Sequence, residues 1–132
     1  SGEEMKAFCV KDGYGISRVL PQYEITPVII TARRSRLLEI RTEELGIQEL
    51  YQGIGDKLSI MRQVASQYYC DMSETAYIGD DIPDLPCLES AGYSGCPSDA
   101  VDAVKQVCTY QCVHEGGRGA VREFIEWLVR EQ

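Results

Sequence analysis

Short apolar runs alternate with longer stretches of helical periodicity along almost the whole chain, and that alternation restricts the fold more than any single residue. Six runs are too short for helices and are bounded by glycine, proline or polar turns. Met5 to Val10, Ile25 to Ile30, Glu49 to Gln52, Thr75 to Ile78, Gly92 to Pro97 and Cys108 to Val113 therefore read as strands. Tyr14 to Leu20 reads as a short helix ending before Pro21. Ser35 can cap a helix that runs through Leu45 and closes at Gly46. The next helix, Lys57 to about Tyr69, carries Leu58, Met61, Val64, Ala65 and Tyr68 on one stripe. Pro83 to Ser90 and Asp99 to Gln106 follow. A last helix, Ala120 to Arg130, buries Val121, Phe124, Ile125 and Leu128, with Trp127 at its flank. Such alternation predicts an α/β fold, a mainly parallel sheet covered on both faces by crossover helices. Residues 1–132 suit one domain.

Composition narrows the partners. With 44% apolar residues the chain can build a packed core. A net charge of −8 argues against nucleic acid or an anionic membrane as the main partner. An anionic substrate would need local positive charge or a metal to enter that field. No apolar run approaches the length of a membrane span, and no signal peptide is visible. The 6 cysteines form no Cys-x-x-Cys pair and read as reduced residues of a cytoplasmic protein. The opening Ser1-Gly2-Glu3-Glu4 looks like the middle of a longer sequence.

Chemistry concentrates where strands end. Gly79-Asp80-Asp81-Ile82-Pro83-Asp84 follows an apolar strand with adjacent carboxylates that repel each other. A cation would relieve that repulsion, and oxygen-only ligands suit Mg²⁺. An Asp-rich turn that caps a helix would explain the same stretch. In open parallel sheets ligands bind beyond the carboxyl ends of the strands. Two further strand ends carry matching groups: Thr31 after Ile30, and Lys57 in Gly55-Asp56-Lys57. A hydroxyl can bind phosphate oxygens, a lysine can balance charge on a phosphoryl group, and carboxylates can hold Mg²⁺. Taken singly, Thr31 is a cap, Lys57 a solvated helix residue, and Arg33-Arg34 a basic turn. Their conjunction points to phosphate chemistry. The order hydroxyl, lysine, acidic cluster disfavours a receiver-like phosphoacceptor, in which the acidic pair comes first.

Four motifs in order carry a family resemblance: Ile29-Ile30-Thr31-Ala32-Arg33, Gly55-Asp56-Lys57-Leu58, Gly79 to Asp84, and Gly116-Gly117-Arg118-Gly119-Ala120-Val121-Arg122-Glu123. Together they resemble the haloacid dehalogenase superfamily. Within it, the chain is similar to the small, capless phosphatases of 3-deoxy-D-manno-octulosonate 8-phosphate and to phosphatase domains attached to some acylneuraminate cytidylyltransferases. The resemblance implies a three-layer, Rossmann-like α/β/α sandwich without a cap, working as a Mg²⁺-dependent phosphomonoesterase on a phosphorylated acidic sugar, in a homotetramer. It implies that Thr31 binds the phosphoryl oxygens, with Ala32 (usually glycine) and Arg33 facing the substrate. Lys57 would offset phosphate charge, and Asp80, Asp81 and Asp84 would form the metal site. Arg118 would meet a substrate carboxylate, and Asp12 and Gly13 match a segment near the active site. A turn with a helix cap accounts equally well for the glycine-rich tail. One element of the family is missing. Its first strand ends in Asp-x-Asp, whose first aspartate forms an aspartyl-phosphate. No Asp-x-Asp occurs in the 132 residues. Loss of that central strand predicts two half-sheets with exposed apolar edges. The sequence then reads as a fragment or as one piece completed by another chain. A non-catalytic oligomerisation module beside a cytidylyltransferase is the alternative.

Overall fold

The computed structural model describes residues 15–131. The expected strand Met5 to Val10, together with Asp12 and Gly13, lies outside the described residues. Five strands alternate with five α-helices: β1 Val28–Ile30, α1 Arg36–Glu44, β2 Glu49–Tyr51, α2 Lys57–Gln67, β3 Ala76–Ile78, α3 Leu85–Ser90, β4 Tyr93–Cys96, α4 Asp102–Val107, β5 Tyr110–Gln111 and α5 Ala120–Glu131. Every pairing is parallel, as crossover connections through helices require.

The strands form two sheets, β1-β2 and β3-β4-β5. Ile29 faces Leu50 in the first, and Tyr77 faces Ser94 in the second. A cavity of about 600 Å³ is lined by β1 and β3, with Met61, Val64 and Ala65 of α2 and Phe124, Ile125 and Leu128 of α5 also on its walls. Among the described residues the strands are thus divided into the two half-sheets that the sequence reading expects. Helix α5 ties the halves together. Ile125 joins the cluster of Ile16, Leu20, Ile29, Leu38 and Ile47, whereas Phe124 packs with Cys112 and Ala120 beside Ala76 and Ile78. A third cluster, Leu88, Cys96, Ala100 and Val104, packs against Tyr77, Leu85 and Cys108.

Boundaries differ from the sequence reading for local reasons. Ile25 closes a turn by donating to the Leu20 carbonyl, and Pro27 has no N–H, so β1 starts only at Val28. Pro21 sits inside a 3₁₀ turn, Leu20–Tyr23, because a first turn needs no donor there. Helix α1 is capped as expected, with Ser35 Oγ accepting from the Leu38 amide at 3.1 Å. Its Leu37 and Ile40 are nevertheless exposed. Helix α2 stops at Gln67 because Tyr69 turns left-handed, φ +57°, while the Cys70 amide returns to the Ala65 carbonyl. The Ser98, Ala100 and Val101 amides bond to His114, Pro97 and Asp80 carbonyls, which delays α4 to Asp102. The last strand is only Tyr110–Gln111, because the Val113 and His114 amides turn to the Glu123 carboxylate. Cys70, Cys87, Cys96, Cys108 and Cys112 carry free thiols. Among the described residues no helix is long and apolar enough to cross a membrane.

Candidate active site

The cavity mouth is built from the loops that follow β1, β2 and β3. After β1, the Thr31 amide donates to the Tyr51 carbonyl at 2.9 Å and the Thr31 carbonyl accepts from Ile54 at 3.0 Å. The Thr31 hydroxyl accepts from the Arg33 amide at 3.2 Å. The Gly53 amide donates to the Arg33 carbonyl, so the first two loops are laced together. Thr31 is thereby buried at the rim with its hydroxyl tied to its own loop. That is the capping role expected of a threonine at a strand end, and it also fixes the hydroxyl's place.

Lys57 opens α2, whose cap is Asp56, accepting from the Ser59 amide. The Lys57 ammonium donates to Asp84 Oδ1 at 2.9 Å, and both side chains are largely buried, 14% and 7% exposed. Asp84 is the centre of this corner. The Tyr77 hydroxyl donates to the same Oδ1 at 2.7 Å, and the Asp80 and Asp81 amides donate to Oδ2 at 3.0 and 3.2 Å. Burial alone would raise the Asp84 carboxyl, but the bonds from Lys57 and Tyr77 and the lysine charge hold it below the usual range. The same burial, with Asp84 beside it, pushes the Tyr77 hydroxyl up and keeps it a donor. Gly79 makes this approach possible. A Cβ there would lie 2.6 Å from Asp84 Cβ and Cγ.

Thr31, Ala32, Arg33, Lys57, Asp80, Asp81 and Asp84 all line the one cavity. Thus seven of the residues singled out in the sequence come together. Arg118 stands apart: its side chain is 80% exposed and lies 3.8 Å from Glu115. Its neighbours Gly116 and Gly117 do border the cavity. The carboxylates divide by role. Asp84 Oδ1 accepts from Lys57 and Tyr77 and Oδ2 from the Asp80 and Asp81 amides, so Asp84 braces Lys57 and the Asp80-Asp81 backbone and keeps the supporting place the resemblance implies. Asp81 Oδ1 accepts from the Ile82 amide at 2.7 Å and caps the following turn. Among the described residues no three His, Cys, Asp or Glu side chains form a ready cage. Mg²⁺ usually takes one or two carboxylates, phosphate oxygens and water, so Asp80 and Asp81 fit as a partial donor set. Two residues have no role in the sequence reading. Tyr77 looks like one more apolar strand residue, and Glu123, which closes the fourth motif, looks like the polar side of a helix.

A parallel sheet with a hydroxyl, a braced lysine and carboxylates beyond its carboxyl edge has the parts of a phosphoryl-transfer site. The model of the haloacid dehalogenase-like hydrolases matches residues 20–125, and the chain belongs to that family. Its relatives are more particular. It is 44% identical over 131 residues to the 3-deoxy-D-manno-octulosonate 8-phosphate phosphatase of Yersinia pestis, covering 99% of this chain and 70% of that protein. The Y. pestis crystal structure superposes with a TM-score of 0.91 at 42% identity, covering 96% of this chain and 68% of the other. The Moraxella catarrhalis phosphatase, crystallised with magnesium, phosphate and KDO, gives 0.90 at 37% identity, covering 96% and 72%. These relatives favour a phosphatase over a non-catalytic module.

Proposed function

We propose that this chain carries the phosphate-binding and Mg²⁺-binding residues of a phosphomonoesterase acting on 3-deoxy-D-manno-octulosonate 8-phosphate. The observation that supports this most is that Thr31, Lys57 and Asp80 line the same cavity, with Lys57 held by Asp84. Thr31 and its loop take the phosphoryl oxygens. Lys57 lies against Asp84 and offers positive charge to the phosphate as charge redistributes in the transition state. Asp80 and Asp81 hold Mg²⁺, which when bound supplies charge neutralisation between phosphate and carboxylates. Arg33 stands at the substrate side of the rim, and Arg118 reaches the sugar carboxylate from the glycine-rich loop. The attacking aspartate of the family mechanism belongs to an Asp-x-Asp pair, which these 132 residues lack.

The reading extends to a cytoplasmic homotetramer of one-domain subunits, with no nucleic-acid or membrane partner. Light scattering tests the oligomer. The main experiment is phosphate release by the full-length protein from 3-deoxy-D-manno-octulosonate 8-phosphate, with and without Mg²⁺. Mg²⁺-dependent turnover is expected. A folded protein that releases no phosphate from any sugar phosphate contradicts the reading.

A further inference from the structure

A second carboxylate hub sits beyond β5. Glu123, in the first turn of α5, is 14% exposed at its side chain. Its carboxylate does not fold back on its own helix. It accepts from the Tyr110 hydroxyl at 2.7 Å, the Val113 amide at 2.9 Å, the His114 amide at 3.0 Å and His114 Nδ1 at 2.7 Å. All four donors lie 9 to 13 residues upstream, at the entry to the loop 113–119. The exit is fixed too, because the Glu123 amide donates to the Gly119 carbonyl. The far side of the loop is held by the β4–α4 connection. There the Ser98 amide donates to the His114 carbonyl at 2.9 Å, and the Gly116 amide donates to Asp99 Oδ1 at 2.9 Å. Gly119 is left-handed, φ +108°, and a Cβ on it would be 3.4 Å from the His114 ring that Glu123 holds.

So held, the loop puts Gly116 and Gly117 on the same cavity as Thr31, Lys57 and Asp80. We propose that Glu123 is a positioning residue for the sugar end of the substrate, acting through the 113–119 loop; this rests on the function proposed above. The Asp84 hub orders the phosphate corner, and Glu123 orders the opposing wall that carries Arg118. A carboxylate serving only to cap α5 would bond to that helix's own first amides.

The test is Glu123→Gln in the full-length protein, with Tyr110→Phe as a milder second variant that keeps the ring. Calorimetry with Mg²⁺ present measures 3-deoxy-D-manno-octulosonate and inorganic phosphate separately, and trypsin reports cleavage after Arg118. Losing charge-assisted bonds should weaken sugar-acid binding about tenfold in Glu123→Gln and about threefold in Tyr110→Phe. Phosphate affinity should stay within about twofold, and Arg118 cleavage should speed up about tenfold. Equal loss of both ligands would mark Glu123 as merely structural and overturn the inference. Unchanged sugar-acid affinity and unchanged cleavage would overturn it too. An unaltered protein that binds neither ligand would defeat the function proposed above, while the cleavage comparison would still decide whether Glu123 orders the loop.

Discussion

The ends of β3 and β5 solve the same problem with the same parts. Asp84 accepts from a cation, a tyrosine hydroxyl and two successive backbone amides, and so does Glu123 when His114 is protonated. They differ in what they hold. Asp84 fixes Lys57, a largely buried side chain that lines the cavity. Glu123 fixes His114, which is 53% exposed, and through it a loop. One hub therefore sets a charge in place, whereas the other sets a wall. Damage to the first should strike stability and phosphate chemistry together. Damage to the second should strike selectivity first.

The largest expected effect is at the buried pair. Asp84→Ala leaves Lys57 without its carboxylate in a desolvated corner and should cost about 3–5 kcal/mol in urea unfolding. A change below about 1 kcal/mol would mean that Lys57 is not held as described. Glu123→Gln comes next, at about 2 kcal/mol, since neutral acceptors replace a carboxylate taking several bonds.

Acid separates the hubs further. Burial opposes ionisation of Glu123, but the Tyr110 hydroxyl and the Val113 and His114 donors outweigh it and hold its carboxyl at about 2, against an ordinary 4.5. A carboxyl lowered in the folded state stabilises fully above its unfolded value and loses that contribution as pH falls through the folded one. Stability should therefore decline from about pH 4.5 towards 2. Asp84 shifts in the same direction and contributes to the same limb. Glu123→Gln should flatten part of that decline, and an unchanged acid limb would remove Glu123 from it. The tyrosines give the smallest and sharpest contrast. Tyr77→Phe and Tyr110→Phe each remove one donor, worth about 1 kcal/mol. Tyr77→Phe should cost more, because Asp84 is the more buried acceptor, and the reverse order would contradict the comparison.

The two hubs also show what a sequence reveals. The Asp84 hub was legible because Gly79, Asp80, Asp81 and Asp84 are nearly consecutive, and their crowding only makes sense around a turn or a cation. Lys57 was legible from its place after a strand. Tyr77 was hidden because a strand tyrosine inside an apolar run carries no sign that its hydroxyl is engaged. Glu123 closes the fourth motif, but its role was hidden for a different reason: its donors come from another element, and helical periodicity only marks it as polar. The same blindness lengthened β5, since nothing in Cys108 to Val113 says that the Val113 and His114 amides leave the sheet for a carboxylate on α5. The two half-sheets were legible only through the family's missing Asp-x-Asp strand.

Thr31, Lys57 and Asp80 are proposed to frame one Mg²⁺-dependent phosphate site. That proposal is tested most directly by a Mg²⁺ titration of phosphate release from 3-deoxy-D-manno-octulosonate 8-phosphate, comparing the full-length protein with Asp80→Asn. Saturable Mg²⁺ activation is expected in the native protein, with at least about a 100-fold loss of kcat/KM in the variant. Equal activation by Mg²⁺ in both proteins would contradict it.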